Sequence, residues 1–131
     1  MADDLHAQLG AVFKIWDQQN GYWNWYIVVN GTLVGWLVAT KTPPALIQML
    51  PLIAIYVVFV FWSLNILRVT YRLRAAAVDE LEALARTAEL RSESFRAALL
   101  DQPKNDWSLD RARHIVIDVL VVVFMVWRSV S

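Results

Sequence analysis

The longest apolar segment of the chain is the feature that most constrains its fold. Residues 45–67 read ALIQMLPLIAIYVVFVFWSLNIL, 23 residues without an acidic or basic side chain. A helix needs about 20 residues to cross a bilayer core of roughly 30 Å, so this segment is long enough to span a membrane. The composition agrees, because 58% of the residues are hydrophobic, whereas soluble domains usually hold roughly 45–50%.

Two further apolar segments predict two more spans. Residues 22–40 contain no charged side chain, and four aromatic residues crowd their start, as an aromatic belt at the membrane surface would. Residues 113–130 give a shorter third span. The link KTPP between the first two spans is so short that they must form a tight antiparallel hairpin.

The segment before the first span predicts an amphipathic helix over residues 1–21, since it lacks the basic start and apolar core of a signal peptide. Its apolar face packs either on the membrane surface or against the protein's own cytosolic part. Asn20 and Gly21 are typical of a helix end. Five residues form that face: Leu5, Leu9, Val12, Phe13 and Trp16.

The segment after the second span predicts a long cytosolic helix. Residues 68–100 contain no glycine or proline and are rich in good helix formers. The second span is expected to continue unbroken to Leu100, giving a helix of roughly 80 Å that must fold back or pack on a partner. Pro103 then breaks the chain, and the last helix is expected to begin near Trp107 and to have about 24 residues. A heptad-like seam runs through Ala77, Leu81, Leu84, Ala88, Phe95 and Ala98.

These segments predict an all-α integral membrane protein with a single membrane domain, in which residues 68–112 form a cytosolic helical hairpin. Most of the basic residues lie in that hairpin, whereas the link between the first two spans carries only Lys41. The positive-inside rule therefore predicts a multi-pass protein of the bacterial inner membrane, with a cytoplasmic N-terminus and an outside C-terminus. The triplet Arg68, Arg72 and Arg74 is expected to contact lipid headgroups or an anionic ligand such as a nucleotide.

Asp118 is the most unusual residue of the predicted spans, because a carboxylate there is costly and faces protein or water. His114 lies one turn before it, and Arg111 a further turn back, so the three share a stripe. In a homo-oligomer this stripe predicts charged rings at the mouth of a cation pathway. The alternative is an intramolecular pair of Asp118 with His114 or with a basic residue of the N-terminal helix.

Other small and polar residues of the spans predict helix–helix contacts. Gly31 and Gly35 form a GxxxG pattern, which packs either within the hairpin or against a second subunit. Asn30 is expected to hydrogen-bond between helices, and Asn65 either to pair with Asn30 or to face a water-filled path.

The sequence excludes several function classes. It has no cysteine, and it lacks the GxSxG, P-loop, HExxH and CxxC patterns, so we expect no enzyme and no cofactor or metal site. Its net charge is +0, which argues against double-stranded nucleic acid as the main partner.

Three sequence stretches resemble SLATT-type membrane effectors of bacterial conflict systems: VVNGTLVGWLVA, TKTPP and RVTYRLRAAAVDELEAL. The resemblance covers about residues 22–100, and the third span departs from the plain two-span pattern. It implies a membrane-perturbing pore of an anti-phage defence system. The implied trigger, a protein partner or a nucleotide or oligonucleotide signal, would act on residues 1–21 and 68–112.

The leading functional prediction is a homo-oligomeric channel or pore in contact with membrane lipid. A non-conducting accessory or anchor subunit of a larger membrane complex is the first alternative. A holin-like lysis protein is the second, although the predicted cytoplasmic N-terminus and the lack of a basic C-terminal tail argue against it.

Overall fold

The computed structural model describes residues 2–87, 93–101 and 107–131, and within them all regular structure is helical. The all-α prediction is therefore confirmed for this part of the chain. The last helix begins at Trp107 and has 24 residues, as expected. The helices are α1 (Ala2–Ala39), α2 (Leu46–Thr87), α3 (Glu93–Leu100) and α4 (Trp107–Val130).

Two predicted helix boundaries are wrong. α1 continues through Asn20 and Gly21, where the glycine keeps a negative φ and costs only about 1 kcal/mol in a helix. Burial on both sides of this position offsets that cost. α2 ends at Thr87 instead of reaching Leu100.

α3 provides the fold-back that the long second helix was expected to need. Leu99 is buried in one cluster with Leu81 and Ala85 of α2. The Arg96 guanidinium also donates a hydrogen bond to the Arg86 carbonyl oxygen, at 2.8 Å. Packing α3 on the last turns of α2 removes apolar surface from water, which a straight helix would leave exposed. Ala88 and Pro103, which carried parts of these predictions, lie outside the described residues.

α2 is the one described helix that is long and apolar enough to cross a membrane, judged by length and composition. Its most apolar 18-residue window has a mean hydropathy of 2.3, and only 11% of that window is buried. The structure thus bears out one candidate span rather than three. α4 carries Arg113, Asp118 and Arg128 within its apolar stretch, and the predicted span in α1 includes polar Asn24 and Asn30.

Contacts divide the chain into two compact units. Unit 1 comprises the described residues of Met1–Gly21 and Arg68–Asp106, and unit 2 comprises Tyr22–Leu67 and Trp107–Ser131. α1 and α2 therefore each contribute one segment to each unit.

Unit 1 has an apolar core between the start of α1 and the second part of α2. Leu5 and Val12 are buried against Ala77, Val78 and Leu81. Leu5, Leu9 and Val12 of the predicted apolar face thus pack on the protein's own helix, whereas Phe13 and Trp16 of that face are exposed.

Arg74 belongs to the interior of unit 1. Its guanidinium bonds to the Gln19 amide oxygen at 3.2 Å and lies 5.5 Å from the centre of the Trp16 ring. Burial lowers the pKa of Arg74 from its usual value. The side chain thus contacts protein, whereas Arg68 and Arg72 are exposed.

Unit 2 contains the predicted antiparallel hairpin together with α4. Its apolar cluster joins Leu37 of α1, Met49 of α2, and Val121 and Met125 of α4. Arg128 closes the C-terminal end of α1 by donating to the carbonyl oxygens of Leu37, at 3.1 Å, and Thr40, at 2.6 Å. These carbonyls lie where a helix runs out of its own amide donors, so a cation there is stabilising.

Candidate functional site

A histidine and a carboxylate on α4 form the centre of the candidate site. The Nδ1 atom of His114 lies 2.6 Å from Oδ2 of Asp118. The two residues are one helical turn apart, so α-helix geometry alone brings them to one face. His114 is 0% exposed and Asp118 is 6% exposed, which makes this the intramolecular pair that the sequence offered as an alternative.

The other carboxylate oxygen of Asp118 faces two tyrosines from different helices. Oδ1 lies 2.8 Å from the Tyr26 hydroxyl of α1 and 2.9 Å from the Tyr56 hydroxyl of α2. The Tyr26 hydroxyl also lies 3.3 Å from the His114 carbonyl oxygen. One carboxylate therefore ties together all three helical segments of unit 2.

Asn30 extends this hydrogen-bond network along α1. Its amide nitrogen donates to the Tyr26 carbonyl oxygen at 2.9 Å, which leaves its amide oxygen to face the Tyr56 hydroxyl, at 2.5 Å. The partner of Asn30 on α2 is therefore Tyr56, whereas the sequence offered Asn65.

The far side of the imidazole is held by α2 and by aromatic rings. Nε2 of His114 lies 3.2 Å from the Ser63 hydroxyl. The ring centres of Tyr26 and Trp23 lie 3.9 Å and 5.7 Å from that of His114. These aromatic contacts account for the complete burial of the imidazole.

The hydrogen-bonding needs of the site are met within one chain. Among the described residues, every buried side-chain nitrogen or oxygen has a hydrogen-bond partner. A fully satisfied buried network rigidifies the helices that it joins, whereas a partly satisfied one would destabilise them. We call Tyr26, Asn30, Tyr56, Ser63, His114 and Asp118 the polar cluster.

The chemistry of the polar cluster is that of proton donors and acceptors. No group of three or more metal-ligating side chains occurs in the described part of the chain. A shallow groove beside the cluster is bordered by Asp118 and Tyr56 and is otherwise lined by valines of α2 and α4.

Several predicted site residues lie apart from this cluster. Asn65 is exposed on α2, and Arg111 is exposed on α4. Gly31 and Gly35 are exposed on α1, and a Cβ atom added at either would meet no atom within 4 Å. The glycines therefore do not pack within the hairpin, which was one of their two predicted roles.

Three members of the polar cluster were not predicted: Tyr26, Tyr56 and Ser63. A signal existed for Tyr56, because it lies near the middle of the longest apolar segment, whereas membrane tyrosines favour the interfaces. Tyr26 was assigned to the aromatic belt, yet it is only 2% exposed.

Comparisons of the chain with models of protein families, with curated proteins and with solved structures found no match.

Proposed function

We propose that the chain is a three-span membrane protein whose copies associate through an open face of α1 to form a channel or pore. The observation that carries this proposal is the contrast between the buried polar cluster and the exposed apolar surface of unit 2. Large apolar residues of this unit lie exposed on all three helices, including Ile27 on α1, Val58 on α2 and Leu120 on α4. Such a surface is suited to lipid.

The polar cluster supports three spans rather than one. Asp118 and Arg128 lower the apolarity of α4, but both have partners within unit 2. Asn30 of α1 is likewise bonded to Tyr56. Polar side chains in a membrane helix are tolerated when they face protein and are paired, so the residues that weaken α1 and α4 as candidate spans are already satisfied.

The orientation in the membrane follows from the basic residues. The segment after residue 67 is rich in arginine, so we place residues 68–112 and the N-terminus in the cytoplasm of a bacterial cell and the C-terminus outside.

One face of α1 is suited to contact between copies. Asn24, Gly31, Thr32 and Gly35 are spaced i, i+7, i+8 and i+11, so they share a helical face, and all four are exposed. Glycines allow close approach of helix backbones in lipid. The asparagine and threonine side chains on the same face would offer polar groups to water in a path between copies.

The structure changes which residues we assign to that path. His114 and Asp118 are bonded inside one chain, so the stripe that was expected to form charged rings is replaced by the polar face of α1. The resemblance to SLATT-type effectors, the defence role and the trigger stay predictions, since no comparison bears on them.

Bulky substitutions on the open face test the proposal. Gly31→Leu and Gly35→Leu should separate the copies, so that the molar mass of the assembly in detergent falls and ion flux into liposomes is abolished. Gly10→Leu is a matched control, because Gly10 lies on the same helix with equally open surroundings but outside the predicted span. A parent protein that is already a monomer by light scattering would refute the proposal.

The second candidate is a non-conducting anchor subunit. The observation in its favour is a pair of exposed apolar residues in unit 1, Val69 and Leu73, one turn apart on α2. An oligomer that carries no ion flux, and that a larger membrane protein accompanies in fixed ratio, would select this candidate.

A further inference from the structure

We propose that His114 and Asp118 form a site that binds one proton, and that loss of this proton loosens the packing of α4 in unit 2. This inference goes beyond the proposed function, because it concerns unit 2 alone and holds whether or not the protein conducts ions. It rests on a count of the protons and acceptors in the polar cluster.

The first part of the count concerns Tyr56. Its hydroxyl lies within hydrogen-bond distance of two oxygens, that of the Asn30 amide and Oδ1 of Asp118. A hydroxyl donates only one proton, and an amide oxygen only accepts. If Tyr56 donates to Asn30, the contact with Asp118 becomes a hydrogen bond when the carboxyl group itself carries a proton on Oδ1. If Asp118 is ionised, Tyr56 can donate to it instead.

The second part of the count concerns His114. Its Nδ1–H donates to Oδ2 of Asp118, since an ionised carboxylate only accepts. The Ser63 hydroxyl can donate to Nε2 of the neutral ring, or accept from Nε2–H of the charged ring. An added proton thus has two places in the pair, Nε2 of His114 and Oδ1 of Asp118. At each place a hydroxyl oxygen, of Ser63 or of Tyr56, can accept a hydrogen bond from the added proton.

Proton binding changes the net charge of the buried His114–Asp118 pair. With the extra proton the pair is neutral overall, and without it one negative charge remains. The titratable groups that face Asp118 are Tyr26 from α1, Tyr56 from α2 and His114 from α4. No lysine or arginine pairs with this carboxylate in the described part of the chain. An uncompensated buried charge is costly, so release of the proton should loosen the packing of α4 against the other two helices.

The proton reaches the site from one end. Ser63 is half-buried and bonds to Nε2 of His114, so it connects the pair to its surroundings. Beyond Tyr56 the interior of unit 2 is filled by apolar side chains, among them Leu37, Met49 and Met125. The groove beside Asp118 is lined by valines, which offer no hydrogen bonds. The cluster therefore binds a proton and does not pass it across unit 2.

Nuclear magnetic resonance of the full-length protein in liposomes tests proton binding. The chain has 2 histidines, so His6→Gln leaves the imidazole of His114 as the only one. Spectra are recorded from about pH 4 to about pH 9, a range that covers ordinary carboxyl and imidazole titration. Over the same range, either Nε2 or the Asp118 carboxyl should gain one proton as pH falls. A folded protein in which both stay unchanged would overturn the proposal.

Distances between spin labels test the link to packing. The chain has no cysteine, so cysteines introduced at the exposed positions Val58 and Leu120 are labelled uniquely. We expect the distribution of distances between the two labels to be narrow at low pH and to broaden at high pH. Asp118→Asn should keep it narrow throughout, because the amide is neutral and can both accept from His114 and donate to Tyr56.

Matched variants complete this test. Asp17→Asn removes an exposed carboxylate of unit 1 and should leave the response to pH unchanged. If Asp118→Asn fails to fold, Asp118→Ser provides a second neutral variant, and its distance distribution should also stay narrow at high pH. The proposal would be overturned if the distance distribution broadened equally at high pH in the parent and in the neutral variant. It would also be overturned if the distribution of the parent stayed narrow at both pH values.

Discussion

Units 1 and 2 differ in how they distribute polar and apolar side chains between interior and surface. The interior of unit 1 is built mainly from apolar residues such as Leu5, Leu81 and Leu99. Unit 2 also has an apolar cluster, but it encloses a histidine–carboxylate pair and leaves large apolar residues such as Val58 and Leu120 outside. A protein in water hides apolar surface, whereas a protein in lipid must hide polar groups. This contrast underlies the proposal that unit 2 lies in lipid and unit 1 in water.

The contrast also separates what stabilises each unit. In unit 1, removal of apolar surface from water supplies the main stabilising free energy. If unit 2 lies in lipid, as proposed, its surroundings are as apolar as its side chains, so packing and hydrogen bonds between helices must supply this free energy. We therefore expect unit 2 to be most sensitive to loss of Asp118, which bonds to groups from all three of its helices.

Asp118→Ala should destabilise unit 2 more than any other substitution considered below. It leaves the Nδ1–H of His114 and the hydroxyl of Tyr26 without their carboxylate partner, and loss of one member of a buried pair costs about 3–5 kcal/mol. The free energy of unfolding in mixed detergent micelles measures the effect. Asp118→Asn, which keeps an acceptor and a polar partner, should cost about 1 kcal/mol. If Asp118→Ala also cost no more than the asparagine variant, the carboxylate would not hold the helices together.

Arginine substitutions at exposed apolar positions test the assignment of solvents. Val58→Arg should disfavour membrane insertion by about 2.5–3.5 kcal/mol, because the position lies near the middle of the longest apolar segment. Leu73→Arg, at an exposed position of unit 1 on the same helix, should change stability by no more than about 0.5 kcal/mol. The fraction of chains inserted into membranes reports the first effect, and unfolding the second. Equal tolerance of arginine at both positions would contradict the assignment of lipid to unit 2.

The sequence predicted the features of the site that depend on one helix. His114 and Asp118 are four residues apart, so a helix through them brings them together whatever it packs against. The partner tyrosines were not predicted, because Tyr26 is 92 residues from Asp118 and the contact depends on how three helices turn their faces toward one another. No spacing within a single sequence specifies that rotation.

The helix boundaries also depended on packing that local sequence signals do not predict. Asn20 and Gly21 are a local signal for a helix end, yet α1 continues through them. Leu5 and Val12 are buried before this position and Tyr26 after it, and one continuous helix presents all three. Local propensity differs by about 1 kcal/mol at a glycine, and burial of one large side chain contributes more than that.

Tyr56→Phe should give the smallest loss of stability of the three substitutions, and it separates the contacts within the polar cluster. The change removes one hydroxyl, and hydrogen bonds between membrane helices contribute about 0.6 kcal/mol on average and about 1.7 kcal/mol at most. We expect a loss near the upper value, because the hydroxyl contacts both Asn30 and Asp118. Tyr22→Phe, at an exposed position of α1, is the matched control and should be neutral. The double variant with Asp118→Asn should lose less than the sum of the two single losses, because the hydroxyl and the carboxylate share one contact. Strict additivity would show that Tyr56 acts through Asn30 alone.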